Sequence, residues 1–238
     1  MRALIVNADD FGRSPGINAG VIEAHEQGIV TSAGLMVRWP AAAEAAAYAR
    51  GRPQLSLGLH ADLGEWIHED DRWITVYETA PFEDRAAVEA EIRSQLAAFR
   101  ALVGADPTHI DTHQHLHRPE GSARAALRAI AEELGVPSRD LRGDVRYCGD
   151  FYGQGGRGQP HPGAISPENL IALIRALPPG VTEISCHPAR GDDSGSTYRR
   201  ERELEVETLC DPRVKAVIAE EGVELCSFAD VAAGTPPA

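Results

Sequence analysis

The sequence predicts an α/β fold in which a mainly parallel sheet curls into a distorted (β/α) barrel of six to eight strands. Three observations carry that expectation. Short β-rich apolar runs alternate with longer segments of helical period. Polar groups suited to chemistry recur at the C-terminal ends of several of these strands, where barrel enzymes assemble their sites. The 238 residues suit one large domain spanning 1–238 with a continuous core.

Strands are expected over 2–8, 30–37, 55–60, 108–113, 181–187 and 223–227, with a weaker one over 139–142. Ser14-Pro15 supplies an N-cap followed by a proline at the first helical position. Ile17, Val21, Ile22 and His25 then keep a helical stripe until Gly28 closes it. Pro40 to Arg50 is Ala-rich and helical up to Gly51 and Pro53, and Val88, Ile92, Leu96, Phe99 and Val103 share one face of a helix over 83–103. Segments 120–134, 167–177 and 198–221 complete the helical set, the last divided by Pro212. Two long irregular stretches are expected to form rim loops that shape a cleft: 61–82, with Trp66, Trp73 and Tyr77, and the Gly- and Pro-rich 147–166. The acidic run Glu201 to Glu207 reads as a solvated helix face.

Composition excludes some partners. Lys and Arg total 23 against 36 Asp and Glu, and the net charge of −13 repels phosphate backbones and anionic membranes. Nucleic acid and membrane are therefore not expected partners. The chain enters its first strand without a basic n-region or long apolar h-region and contains no stretch near the ~20 apolar residues that span a bilayer, so the default expectation is cytoplasmic. The sequence is compatible with a monomer or a homodimer. Cys148, Cys186, Cys210 and Cys226 lack C-x-x-C spacing and are expected to be reduced, with Cys186 and Cys226 facing the core from strands.

The chemistry concentrates in Thr108-His109-Ile110-Asp111-Thr112-His113-Gln114-His115-Leu116-His117, which holds four of nine histidines. Leu4-Ile5-Val6-Asn7-Ala8-Asp9-Asp10-Phe11-Gly12 and Leu55-Ser56-Leu57-Gly58-Leu59-His60 likewise run apolar strands into candidate ligands. A divalent ion that activates water takes about three His or carboxylate ligands and leaves a position open, and Asp10, His60 and His113 supply such a set from three strand ends. Side chains at i and i+2 of a strand lie about 6.5 Å apart, so His113, His115 and His117 cannot all bind one ion unless the chain bends sharply. The others are left to contact substrate or orient the site, and Asp111 can accept a hydrogen bond from a ligand imidazole. Taken singly, these motifs have blander readings: a polar surface strand, a rim histidine, and turn chemistry at Asp9-Asp10 ahead of a helix.

Together, Asn7-Ala8-Asp9-Asp10-Phe11-Gly12, Ile29-Val30-Thr31-Ser32, Gly58-Leu59-His60, the histidine block, Leu141-Arg142 and Cys186-His187-Pro188 resemble, in order, the YdjC family of carbohydrate deacetylases. That resemblance implies a barrel similar to the NodB-type polysaccharide deacetylases, one divalent metal ion per chain (Mg or Zn), and a small N-acetylated sugar such as a chito-oligosaccharide as substrate. It implies Asp10, His60 and His113 as ligands, Asp9 as general base, His187 as general acid, and Arg142 as a residue orienting Asp9 or His187. His115, His117 and Trp66 would contact substrate, and Asp111 would support a ligand. The run Ala61-Asp62-Leu63-Gly64-Glu65-Trp66 departs from the family's usual apolar and Thr-containing stretch, in a loop that should line the sugar pocket.

Two other readings compete. One is another barrel metal hydrolase, of amidohydrolase or phosphoesterase type, although no second ligand set is evident. Non-haem iron oxygenation suits two His and one Asp but not the β/α alternation. The other is a non-catalytic metal- or glycan-binding protein with Trp66, Trp73 and Tyr77 as sugar platforms; Asp9 and His187 beside the ligands would serve no purpose in it.

Overall fold

The computed structural model describes residues 1–115, 121–139, 145–191 and 196–232. Two expected site residues, His117 and Arg142, lie outside them.

The strands are β1 (Arg2–Phe11), β2 (Ser32–Leu35), β3 (Ser56–Ala61), β4 (Gly64–Glu69), β5 (Arg72–Glu78), β6 (Ile110–Thr112), β7 (Val145–Cys148), β8 (Gly180–Cys186) and β9 (Val223–Leu225). The helices are α1 (Pro15–Glu26), α2 (Ala42–Arg50), α3 (Arg85–Val103), α4 (Ser122–Leu134), α5 (Pro167–Arg175), α6 (Arg200–Leu209), α7 (Pro212–Glu220) and α8 (Phe228–Ala232). Seven strands form one parallel sheet in the order β6-β3-β2-β1-β8-β7, with β9 beside β1. The sheet forks: one side of β1 is covered by β9 at Arg2–Leu4 and by β2 at Asn7–Phe11. Beyond β6 it is extended by a single parallel bridge, Ile110 to Ser138, and it curls into a half-barrel with helices outside.

Such a sheet needs strands apolar on both faces. β1 is buried from Ala3 to Phe11, and the main core joins Leu4, Val6, Leu35 and Leu59 to Ile17 and Val21 of α1 and Val88, Ile92 and Phe99 of α3. Ser14 caps α1 by accepting from Ile17 N–H at 3.2 Å, ahead of Pro15. Pro212 starts α7, so the expected 198–221 helix is two helices, with Asp211 capping the second. Cys186 is a buried residue of β8; Cys226 is buried but lies past the end of β9. Among the described residues no helix is long and apolar enough to cross a membrane.

Close packing at α1 yields a test. A Cβ on Gly20 would lie 2.3 Å from Ala189 Cα, within backbone. Gly20→Ala should therefore lower stability by about 1–3 kcal/mol, against a helix-propensity gain near 1 kcal/mol. An unchanged or raised urea midpoint would contradict this.

Two expectations are corrected, and a third falls mostly outside the described residues. Segment 61–82 is not irregular: it forms the antiparallel hairpin β4–β5, and Asp62, between β3 and β4, accepts from Tyr77 Oη at 2.8 Å, Trp39 Nε1 at 3.0 Å and Arg38 Nη1 at 3.2 Å. Of the weak strand expected over 139–142, Arg139 is in a turn and 140–142 fall outside the described residues; β7 follows at Val145–Cys148 and extends into 147–166. The acidic face of 201–207 is not wholly solvated, because Glu201, Arg202 and Glu205 are buried.

Candidate active site

The strand ends converge on a cleft of about 530 Å³ lined by Asp9, Asp10, His113, His115, His187 and Trp66 among others. In a regular strand, consecutive side chains face opposite ways, so Asp9 and Asp10 could not both enter it. Asp10 has φ +65°, and the β1–β2 register shifts between Ala8 and Phe11. This irregularity turns both carboxylates inward at a backbone cost of order 1–3 kcal/mol. Gly12 follows at φ +91°, where an added Cβ would come within 3.0 Å of Ala42 Cα. The sharp bend required of the histidine block occurs after β6: His113–His115 form a turn with left-handed backbone at Gln114 (φ +52°) and His115 (φ +53°). Gln114 fixes it by bonding Trp66 N–H and C=O at 3.0 and 2.9 Å.

Asp10, His60 and His113 offer one ligand atom each, all within 4.8 Å of one another. Asp10 Oδ1 lies 3.0 Å from His113 Nδ1 and 3.6 Å from His60 Nε2, not aligned for a hydrogen bond with either. Its other oxygen accepts from Arg202 Nη2 at 2.5 Å. His60 Nδ1 is committed to Asp111 Oδ1 at 2.7 Å, leaving Nε2 buried without a hydrogen-bond partner among the described residues. Two buried polar atoms left open toward a third ligand form a cavity for a divalent cation, and one carboxylate with two imidazoles suits that chemistry. A second group, Asp9, His60 and Asp111, has similar spacing. It fits a cation less well because the Arg139 guanidinium already neutralises both carboxylates, by hydrogen bonds to Asp9 and an ion pair with Asp111.

Burial disfavours charge on His60, but Asp111, Asp9 and Asp10 outweigh it and raise the imidazole to about 9 in the absence of metal. The field that favours a proton there favours a metal cation as well. Burial also opposes ionisation of Asp10, yet Arg202, His113 and Arg13 hold it well below the usual carboxylate range.

Arg139 spans the curled sheet. It donates to Asp9 of β1 through Nη1 and Nη2 at 2.8 and 2.7 Å, to Glu183 of β8 through Nε at 2.8 Å, and lies 2.9 Å from Asp111 of β6. Asn7 Nδ2 adds a bond to Asp9 at 3.0 Å. Against burial, Arg139 and His60 keep Asp9 lowered. His187 Nε2 stands 3.7 Å from Asp9 Oδ2, and burial lowers its imidazole to about 4, so it is neutral at neutral pH.

His115 Nε2 is 3.3 Å from Tyr147 Oη on the cleft wall. Trp66 also lines the cleft, and its ring packs edgewise on Phe82. Trp73 is 61% exposed at the cleft. Tyr77 is turned away to Asp62 and is not a cleft residue.

Sequence reasoning missed Arg139, Arg202, Glu205, and the Arg13–Glu65 pair (2.7 Å), whose Arg13 also lies 3.3 Å from His113 Nε2. Arg142 is outside the described residues, and Arg139 makes the contact with Asp9 expected of it. A signal for α6 was present: Arg202, Glu205, Val206 and Leu209 repeat at i, i+3, i+4, i+7, a buried stripe that includes charges.

The chain matches the family of YdjC-like proteins over residues 3–220. It is 36% identical to a carbohydrate deacetylase of Geobacillus stearothermophilus, covering 95% of this chain and 97% of the relative. It is 32% identical to a chitooligosaccharide deacetylase of Klebsiella pneumoniae (strain 342), covering 97% and 99%. Among solved structures it resembles an Enterococcus faecalis V583 protein provisionally described as acting in cellobiose-phosphate cleavage (TM-score 0.79, 27% identity, 97% and 98% covered). It shares its fold with a family 4 carbohydrate esterase of Streptomyces lividans (TM-score 0.54, 16% identity, 95% and 91% covered). With its half-barrel, its strand-end carboxylates and histidines, and this near-complete match, the chain belongs to the YdjC family.

Proposed function

We propose that this protein is a metal-dependent deacetylase that hydrolyses the acetamido group of an N-acetylated sugar, a chito-oligosaccharide or related glycan. The observation that carries this reading is the placement of Asp9, held by Arg139 and Asn7, between the Asp10–His60–His113 group and His187 at one cleft. The names of the two relatives support the substrate class.

Asp10, His60 and His113 would hold one divalent ion, Mg or Zn, which when bound polarises a carbonyl and lowers the pKa of water. Asp9 takes a proton from water through Oδ2, the oxygen nearest His187, as the water oxygen bonds to the amide carbon. The C–N bond then breaks, and the amine takes its proton from His187 Nε2. Because His187 is neutral at neutral pH, its proton arrives during turnover from Asp9, 3.7 Å away. Water and amide give acetate and amine, and both residues return to their starting state. Proton transfers of this kind contribute typically about 100- to 10,000-fold each. His115 and Trp66 face the sugar.

Acetate release from a panel of N-acetylated mono- and oligosaccharides, with and without chelator, tests the reading. Metal-dependent acetate is expected; a folded, metal-loaded sample that releases none from any sugar overturns it. His60→Ala and His113→Ala should weaken metal binding by more than about 100-fold, and Asp111→Asn by about 10- to 100-fold, measured by calorimetric titration. An unchanged affinity in either alanine variant would remove that residue from the ligand set.

A further inference from the structure

We infer that Glu205 is the positioning residue for the His187 imidazole, acting through a clamp that α6 closes on the His187 peptide. The catalytic consequence rests on the deacetylase reading; the clamp itself does not. His187 lies just beyond β8, where the sheet ladder no longer holds it. Its N–H donates to Glu205 Oε2, and its C=O accepts from Arg202 Nη1 at 3.2 Å. One turn of one helix thus grips both sides of the residue. Glu205 is fixed in turn: Oε1 accepts from Tyr198 Oη at 2.5 Å, and that hydroxyl accepts from Gly153 N–H at 2.7 Å.

Among the described residues the imidazole has no conventional orienter. A proton-transferring histidine is usually aligned by an acceptor at its second nitrogen, but His187 Nδ1 is buried without a hydrogen-bond partner among the described residues. Two rings border it instead, Tyr152 at 5.5 Å and Tyr198 at 5.6 Å, and these stack on each other at 4.9 Å and 11°. Glu205 holds both the His187 peptide and the Tyr198 hydroxyl, so it sets the backbone and the ring wall together. A carboxyl at 0% exposure, on a buried stripe it shares with Arg202, Val206 and Leu209, is costly unless its bonds are needed. Here they fix the distance from His187 Nε2 to Asp9.

Glu205→Leu removes both bonds, whereas Glu205→Gln keeps an acceptor for His187 N–H. In metal-loaded protein, Glu205→Leu should lower kcat by about 10- to 100-fold, the scale of an ångström-sized misplacement, with KM and metal affinity within about twofold. Glu205→Gln should recover most of the loss. In ¹⁵N-histidine spectra, assigned with His187→Gln, the wild-type His187 ring should give one sharp pair of signals and Glu205→Leu a broadened or doubled pair. Wild-type kcat in Glu205→Leu, or equal loss in Glu205→Gln, would overturn the inference. Should Glu205→Leu fail to fold, Tyr198→Phe is the second variant: slower turnover with a perturbed His187 signal is expected, and wild-type values for both would overturn it. If wild type releases no acetate from any sugar, the deacetylase reading fails while the ring signals still decide the clamp.

Discussion

Asp9→Asn is expected to lower kcat by about 100- to 10,000-fold while metal uptake per chain stays unchanged. The substitution preserves shape, and the amide oxygen can still accept one of the two Arg139 bonds at 2.7 and 2.8 Å. Asp10 keeps its own partner, Arg202, so the ligand group should survive. What disappears is the proton acceptor 3.7 Å from His187. Turnover measured beside a metal titration separates the outcomes. Loss of activity together with loss of metal would move Asp9 into the ligand set, and near-wild-type activity would remove it as the base.

The second large effect falls on stability. Arg139→Met should destabilise the fold by about 3–5 kcal/mol, the usual scale for removing one partner of a buried ionic group. Arg139 is 2% exposed and is the shared partner of Asp9, Asp111 and Glu183, which are each 1% exposed or less. Methionine fills much of the volume but leaves three carboxyls from three strands facing one another. In the wild type, burial, opposed by Arg139, raises Glu183 to about 7, while Arg139 with His60 keeps Asp9 and Asp111 lowered despite burial. Without the guanidinium all three folded-state values move up. A carboxyl raised above its unfolded value binds more protons when folded, so its contribution is full below the unfolded pKa and is lost as pH rises through the folded one. The deficit of Arg139→Met should therefore widen from pH 5 to pH 8 in urea unfolding at fixed metal. A pH-independent deficit would mean packing rather than charge causes the loss.

Much of the site was legible because strand ends announce themselves. Asp9-Asp10, His60, His113 and His187 each follow an apolar run, and a parallel sheet places all such ends on one rim. The local geometry there was not legible. Alternation predicts that neighbouring aspartates diverge and that alternate histidines align, and both patterns are reversed by positive φ at Asp10, Gln114 and His115. These conformations are imposed by packing and by bonds such as Gln114 to Trp66, across 48 residues of sequence. The 61–82 hairpin escaped notice because its β-formers, Trp66, Ile67, Trp73, Ile74, Val76 and Tyr77, lie on partly exposed strands, and what ties it down is polar: Asp62 to Tyr77, Glu65 to Arg13 and Trp66 to Gln114.

The sequence by itself determined the β/α alternation, the helix starts at Ser14 and Pro212, and the residue types that meet at the rim, because these follow from periodicity, capping and strand polarity within short windows. Only the tertiary structure decided which charges are paired. Arg139 is one arginine in a turn until curling of the sheet brings Asp9, Asp111 and Glu183 around it, and Arg202 and Glu205 look like members of a solvated acidic run until α6 packs against α1 and meets the His187 peptide just beyond β8. Charges are read as exposed by default because burying one alone is prohibitive. Whether a partner waits inside is a fact about distant segments of chain, which no local window contains.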